Sequence, residues 1–253
     1  MFQKYRKNIF SQNGEDGVIL EILKRLKLKS KNSWCCEFGA WDGIHGSNTF
    51  NLVKNFNYNA VYIEGDQKKY KDLILTQSKY SKIIPIKRYI SHKIRSSDSL
   101  DNILKKTSIK KNFEILSIDI DSYDLAVWKS IKKYRPIIVI IEINSGIEPG
   151  IHQIHSQKRR GNSFTSTVNF ATKINYQLLC HTGNCIFIDK KYLNKLNINK
   201  RFLNNKEAHL LFDYSWKLKK VSKFKKILKI ILPNKVISYL RNTKNKLIIN
   251  LKL

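Results

Sequence analysis

The stretch that decides the fold is Trp34-Cys35-Cys36-Glu37-Phe38-Gly39-Ala40-Trp41-Asp42-Gly43. A short apolar run ends in Glu-Phe-Gly, and a second glycine follows at Gly43. Such a run bounded by glycines predicts a buried strand with a sharp turn at its carboxyl end. Ser47-Asn48-Thr49 and the apolar positions Phe50, Leu52, Val53 and Phe56 then predict a helix with Ser47 as its N-cap. A strand, a glycine turn and a helix make the corner of an open α/β sheet, where ligands sit beyond the strand ends.

Gly39, Gly43 and Gly46 lack the G-x-G-x-x-G spacing that receives a pyrophosphate on backbone amides. Asp42 inside the turn would also repel one. A ligand with a cationic sulfonium and an amino group tolerates acidic neighbours, so Glu37 and Asp42 favour S-adenosylmethionine over a dinucleotide.

The 253 residues, 42% of them hydrophobic, suffice for one large α/β domain with a tail. The expected division is residues 1–213 and 214–253. Cys35, Cys36, Cys180 and Cys185 form no C-x-x-C pair and read as small core residues of a reducing compartment. With a polar first stretch and no apolar run near membrane-spanning length, a cytoplasmic location is expected. The formal charge is +29, but 39 Lys stand against 9 Arg. Nucleic-acid readers favour Arg for bidentate contacts, so nucleic acid is not an expected partner.

Along the chain, residues 14–28 predict a helix and 59–63 a second strand, which ends in Glu64-Gly65-Asp66. An acid closing the second strand of such a unit accepts ribose hydroxyls, which makes Glu64 a candidate. Further strands are expected over 83–90, 113–120 and 136–141, with helices over 100–106, 122–133 and 163–174. The irregular stretch 146–161 holds His152 and His155, and a loop of that length in a compact domain suggests function. Strands over 176–180 and 185–188 flank a hairpin turn at 181–184. After Asp213 no acidic residue occurs. Leu218, Val221, Phe224, Ile227, Leu228 and Ile231 form an apolar stripe there, among lysines. A basic amphipathic helix of that kind suits an anionic membrane surface, so a peripheral membrane position is an expectation.

The ordered set FSQNGED (10–16), CEFGAWDG (36–43), SNT (47–49), VYIEGD (61–66), SLDNIL (99–104), LSIDIDSYDLAVW (116–128) and IIVIIEIN (137–144) resembles the FkbM-like S-adenosylmethionine methyltransferases. GNSFTS (161–166) and GNCIFID (183–189) are similar to that family's last helix and hairpin. The resemblance implies a class I methyltransferase fold, a Rossmann-like seven-stranded sheet closed by a β-hairpin. It also implies O-methylation of a saccharide or related small molecule. Carried over by position, Glu37, Gly39, Ala40, Asp42 and Gly43 would surround the methionine end of the cofactor, and Glu64 would hold the ribose. The family's frequent acid after the third strand is missing, which leaves backbone or Ser91 for the adenine. Asp119, Asp121 and His152 are the candidate catalytic groups, because a hydroxyl acceptor needs a base or a metal. Asp119, Asp121 and Asn144 offer oxygen ligands that would suit Mg²⁺. Two rival readings keep the fold: a binding domain without catalysis, and a nucleic-acid methyltransferase.

Overall fold

The computed structural model describes residues 2–28 and 32–199, and the basic amphipathic tail predicted beyond Asp213 lies outside them. A seven-stranded sheet runs in the order β3-β2-β1-β4-β5-β7-β6. The strands are β1 (Trp34–Phe38), β2 (Asn59–Glu64), β3 (Ile83–Lys87), β4 (Ile115–Ile118), β5 (Ile138–Glu142), β6 (Tyr176–His181) and β7 (Asn184–Asp189). The first five pair in parallel, and β7 enters antiparallel between β5 and β6. Helices α1 (Glu15–Leu26), α2 (Phe50–Phe56), α3 (Gln67–Lys79), α4 (Leu100–Leu104), α5 (Asp124–Ser130) and α6 (Phe164–Lys173) connect them. This is the class I methyltransferase arrangement that the resemblance implies. Every residue of β1 and β4 is buried, as a parallel sheet covered on both faces requires. The four cysteines are free and buried.

Several elements are shorter than the sequence pattern suggests. The third strand stops at Lys87, because the chain beyond Tyr89 turns to form a bridge between Ser91 and Ser99. The fourth strand stops at Ile118, since Gly39 packs against the carbonyl of Asp119. Helix α5 begins at Asp124, whose carboxylate accepts from the backbone N–H groups of Ile120 (2.8 Å) and Ser122 (3.0 Å). Helix α2 takes Thr49 as its N-cap rather than Ser47, although the Ser47 hydroxyl accepts from the backbone of Phe50 at 3.0 Å. Glu15 and Asp16 on the first turn of α1 are buried. Asp16 gathers the backbone N–H groups of Ile9, Phe10 and Ser11, and Glu15 accepts from Thr182 on the hairpin turn.

One rung of the sheet positions the glycine corner. Glu37 on β1 is in register with Tyr62 on β2 and Ser117 on β4. The three put polar groups beneath residues 47–49. Glu37 accepts from the Ser47 hydroxyl (2.8 Å), the Thr49 hydroxyl (2.6 Å) and the backbone N–H groups of Asn48 (3.1 Å) and Thr49 (3.2 Å). The Asn48 amide donates to Ser117 at 3.0 Å, and the Tyr62 hydroxyl lies 3.0 Å from that of Thr49. Glu37→Ala would strand four buried donors at 1–3 kcal/mol each before relaxation. We expect it to lower unfolding stability by more than about 3 kcal/mol in chemical denaturation; a loss below about 1 kcal/mol would contradict this account of the corner.

Candidate functional site

The carboxyl ends of β1, β2 and β4 open on a cavity of about 570 Å³, within the usual range of small-molecule sites. Its wall includes Gly39 and Ala40 from the corner, Glu64 and Gly65 after β2, and Tyr89 and Ile90 after β3. Asp119 to Tyr123 follow from the β4–α5 connection. Gly39 has φ +75°, and a Cβ there would collide with the Asp119 carbonyl, so only glycine lets the two strand ends close in this way. Glu64 is buried, with one oxygen accepting from Trp41 N–H (2.9 Å) and the other from Asp66 N–H (2.7 Å). Each oxygen keeps a further lone pair, so the carboxylate is held in one orientation and can still accept two hydroxyls.

Asp119 is the electrostatic centre of the site. Burial, and after it the nearby carboxylates Glu142, Asp124, Asp121 and Glu37, push its carboxyl up to about 8. Glu142 at the end of β5 is pushed up to about 7, by burial first and by Asp121 and Asp124 next. No hydrogen bond reaches either carboxylate among the described residues. Both border a small cavity of about 80 Å³ that Gln12, Asn48 and Asn184 also line.

The predicted site residues are placed unevenly. Glu37, Gly39, Ala40, Glu64, Asp119 and Asp121 line the large cavity. Glu37, however, spends its carboxylate on residues 47–49 and shapes the floor. Asp42 does not line it: its carboxylate turns back to the N–H groups of Ile44 and His45 and to the His45 ring. Gly43 is absent from the wall too, because it packs against Tyr62 and Leu73. Ser91 lies off the wall, its N–H donating to the Asp98 carbonyl at 2.9 Å. His152 is exposed and lines neither the large cavity nor the one of about 80 Å³ that Asp119 borders.

The proposed metal ligands do not converge. Asn144 uses its amide on backbone, donating to the Arg160 carbonyl (3.1 Å) and accepting from Gly146 N–H (3.1 Å). Asp121, at φ +57°, faces solvent beside Arg160, 3.4 Å away. Among the described residues no group of three or more His, Cys, Asp or Glu side chains is arranged to hold a metal ion. Mg²⁺ therefore does not fit the residues present.

Other wall residues escaped the pattern reading. Gln12 reaches the cavity because Asp16 and Glu15 fix the loop before α1. Tyr89 lies against Gly65 at the rim. Tyr123 stacks on His92 (4.7 Å between ring centroids) and meets the tilted ring of His155 (4.6 Å), a contact built from three separate loops. Each depends on tertiary placement, and no local spacing announces it.

The donor set suits a ligand with a cationic centre and a vicinal diol: an oriented carboxylate on β2, unpartnered carboxylates nearby, and a floor of backbone at Gly39. A model of the methyltransferase FkbM domain matches residues 20–169. The chain belongs to the FkbM methyltransferase family. No curated protein matches it. Among solved structures, TrmK of M. capricolum in complex with S-adenosyl-homocysteine is similar at 17% identity. That match covers 88% of this chain and 92% of that one, with a TM-score of 0.44. A putative sarcosine dimethylglycine methyltransferase from Galdieria sulphuraria matches at 13% identity over 65% and 62% of the two chains, TM-score 0.44. A SAM dependent methyltransferase from Aquifex aeolicus matches at 11% identity over 67% and 87%, TM-score 0.41. Among the described residues no helix of this FkbM-family chain is long and apolar enough to cross a membrane.

The raised Asp119 fixes a pH signature. A carboxyl whose folded pKa lies above its unfolded value favours the protonated native state. Its contribution is complete below about pH 4 and is lost as pH rises toward 8. Asp119→Asn mimics the protonated form, so its melting temperature should match wild type near pH 4 and exceed it at pH 8.5. Each kcal/mol of relief raises Tm by roughly 2–4 °C in a domain of this size. A thermal-shift series showing equal Tm at pH 8.5 would contradict the assignment.

Proposed function

We propose that this FkbM-family protein is an S-adenosylmethionine-dependent O-methyltransferase acting on a hydroxyl of a saccharide or related metabolite. The observation that carries the reading is the large cavity, lined by the oriented Glu64 and by Asp119, which has no hydrogen bond among the described residues. Glu64 accepts the two ribose hydroxyls. Backbone at Gly39 and Ala40 borders the methionine end, and Glu37 keeps that border in place from below. Tyr89 and Ile90 flank the base, where no acid is available after β3.

When bound, the cofactor supplies a methyl carbon already activated by its sulfonium, so positioning provides most of the rate. The protein's own work is to orient a hydroxyl and remove its proton. Asp119, buried and with no hydrogen bond among the described residues, would accept that proton from the hydroxyl oxygen. The cofactor would also supply the leaving group, with the carbon–sulfur electron pair remaining on sulfur. A carboxyl raised to about 8 holds a proton more tightly than an ordinary carboxylate, so it would act as acceptor in its ionised fraction, which grows as pH rises toward 8.

Isothermal titration with S-adenosylhomocysteine tests the reading. Wild type should bind, and Glu64→Ala should lose two hydrogen bonds to a charged acceptor, each worth roughly 1.5–3 kcal/mol. That corresponds to at least about 100-fold weaker binding. Absence of heat with the wild-type protein would contradict the proposal.

A further inference from the structure

Two loops at the carboxyl edge of the sheet, one after β3 and one after β5, meet at the rim of the large cavity. They touch across Tyr123: His92 of the first stacks on its ring, and the ring of His155 from the second lies 4.6 Å away. Each loop is tied down by its own backbone. Ser96 N–H donates to the Lys93 carbonyl at 3.0 Å, closing a turn with Ile94 and Arg95 at its tip. In the second loop Gly150 N–H donates to the Thr165 hydroxyl (2.7 Å) and Gln153 N–H to the Ser163 hydroxyl (3.1 Å). His155 N–H donates to the Asn162 side-chain oxygen at 3.1 Å. Residues between those anchors are left outside. Ile151 is 49% exposed, Ile154 44% and Ile94 54%. Scattered exposed isoleucines need no explanation, but these three stand on two touching loops whose backbones hold them out.

We propose that these loops form a docking surface for an anionic lipid bilayer, with Ile94, Ile151 and Ile154 entering the headgroup boundary and the neighbouring cations meeting lipid phosphates. The charge around the isoleucines decides the partner. Lys93, Arg95, Lys158 and Arg159 are all exposed, and none makes a salt bridge among the described residues. Two nearby acids are already paired, Asp98 with Arg88 at 3.3 Å and Asp121 with Arg160 at 3.4 Å. Between 151 and 160 no acid occurs. Cations close to an anionic surface are attracted to it, and aliphatic side chains among them add burial that salt does not screen. A nucleic acid would answer the charge but not the isoleucines, since single-strand binders stack bases on aromatic rings. The rings between the two loops, His92, Tyr123 and His155, pack on one another instead. Arg88, Tyr89 and Tyr123 also line the large cavity, so docking sets its rim against the bilayer. The surface uses none of the tail beyond Asp213 and does not depend on the methyl-transfer reading.

Vesicle sedimentation of the full chain tests the surface, with phosphatidylcholine alone and with phosphatidylserine added. Wild type should bind the mixed vesicles far more tightly than the neutral ones. Ile94→Ser, Ile151→Ser and Ile154→Ser combined should weaken that binding at least about tenfold. Lys93→Gln, Arg95→Gln, Lys158→Gln and Arg159→Gln combined should weaken it at least about thirtyfold. Both variants should keep the wild-type Tm, because all the substituted side chains are exposed. Failure of wild type to bind the mixed vesicles would overturn the proposal. So would unchanged binding by the isoleucine variant: the loops would then be a patch for polyanions in general, nucleic acid included, or bystanders to binding elsewhere on the chain. A second measurement reads the contact itself. A nitroxide on Ile154→Cys should lie below the lipid phosphates in bound full-length protein, and a label that stays fully accessible to water would equally overturn the surface.

Discussion

A buried carboxylate that accepts four hydrogen bonds is the interaction on which this site depends. Glu37 sits at the carboxyl end of β1 with Tyr62 and Ser117 level with it on the neighbouring strands, and the three fix residues 47–49 from beneath. Burial raises the Glu37 carboxyl while its hydroxyl and backbone donors pull it down, so the donors are what make a charge tolerable there. With 47–49 pinned, the segment between Gly39 and Gly46 has two fixed ends, and its backbone becomes a wall of the large cavity. Gly39 completes the constraint by letting β1 and β4 approach closely at their ends.

The electrostatics of the site run against those of the chain. A protein with formal charge +29 has cations to spare, yet Asp119 and Glu142 make neither a salt bridge nor a hydrogen bond among the described residues. Among the described residues Arg160 lowers the Glu142 carboxyl, and it does so from an exposed position beside Asp121. Desolvated carboxylates without partners destabilise the empty fold. They would suit the proposed meeting of a cationic centre with a hydroxyl that gives up its proton.

Much of the architecture was legible from the chain alone. The apolar run before Gly39, the β-branched run ending in Glu142 and the hairpin signal around Gly183 each named a strand, because burial on both faces leaves a continuous apolar record. Glu64 was legible as a cavity residue because it closes β2, whose carboxyl end opens on the large cavity. Asp42 and Ser91 were not, because a short polar side chain in a turn can fold back on its own backbone as readily as face a ligand. Asp42 satisfies Ile44 and His45, and the Ser91 backbone pairs with Asp98. Ser47 and Thr49 exchanged capping roles by two residues, a distinction that hydroxyl geometry alone decides. Glu142 and Gln12 owe their importance to what lies across from them, which no local pattern records.

The central claim is that the Glu37-built corner and Glu64 together form the cofactor site. A crystal structure with S-adenosylhomocysteine tests it most directly. The account predicts both ribose hydroxyls within hydrogen-bond distance of Glu64, the ligand against Gly39 and Ala40, and the sulfur on the side of Asp119. Ligand bound elsewhere, or bound there with the ribose away from Glu64, would contradict it.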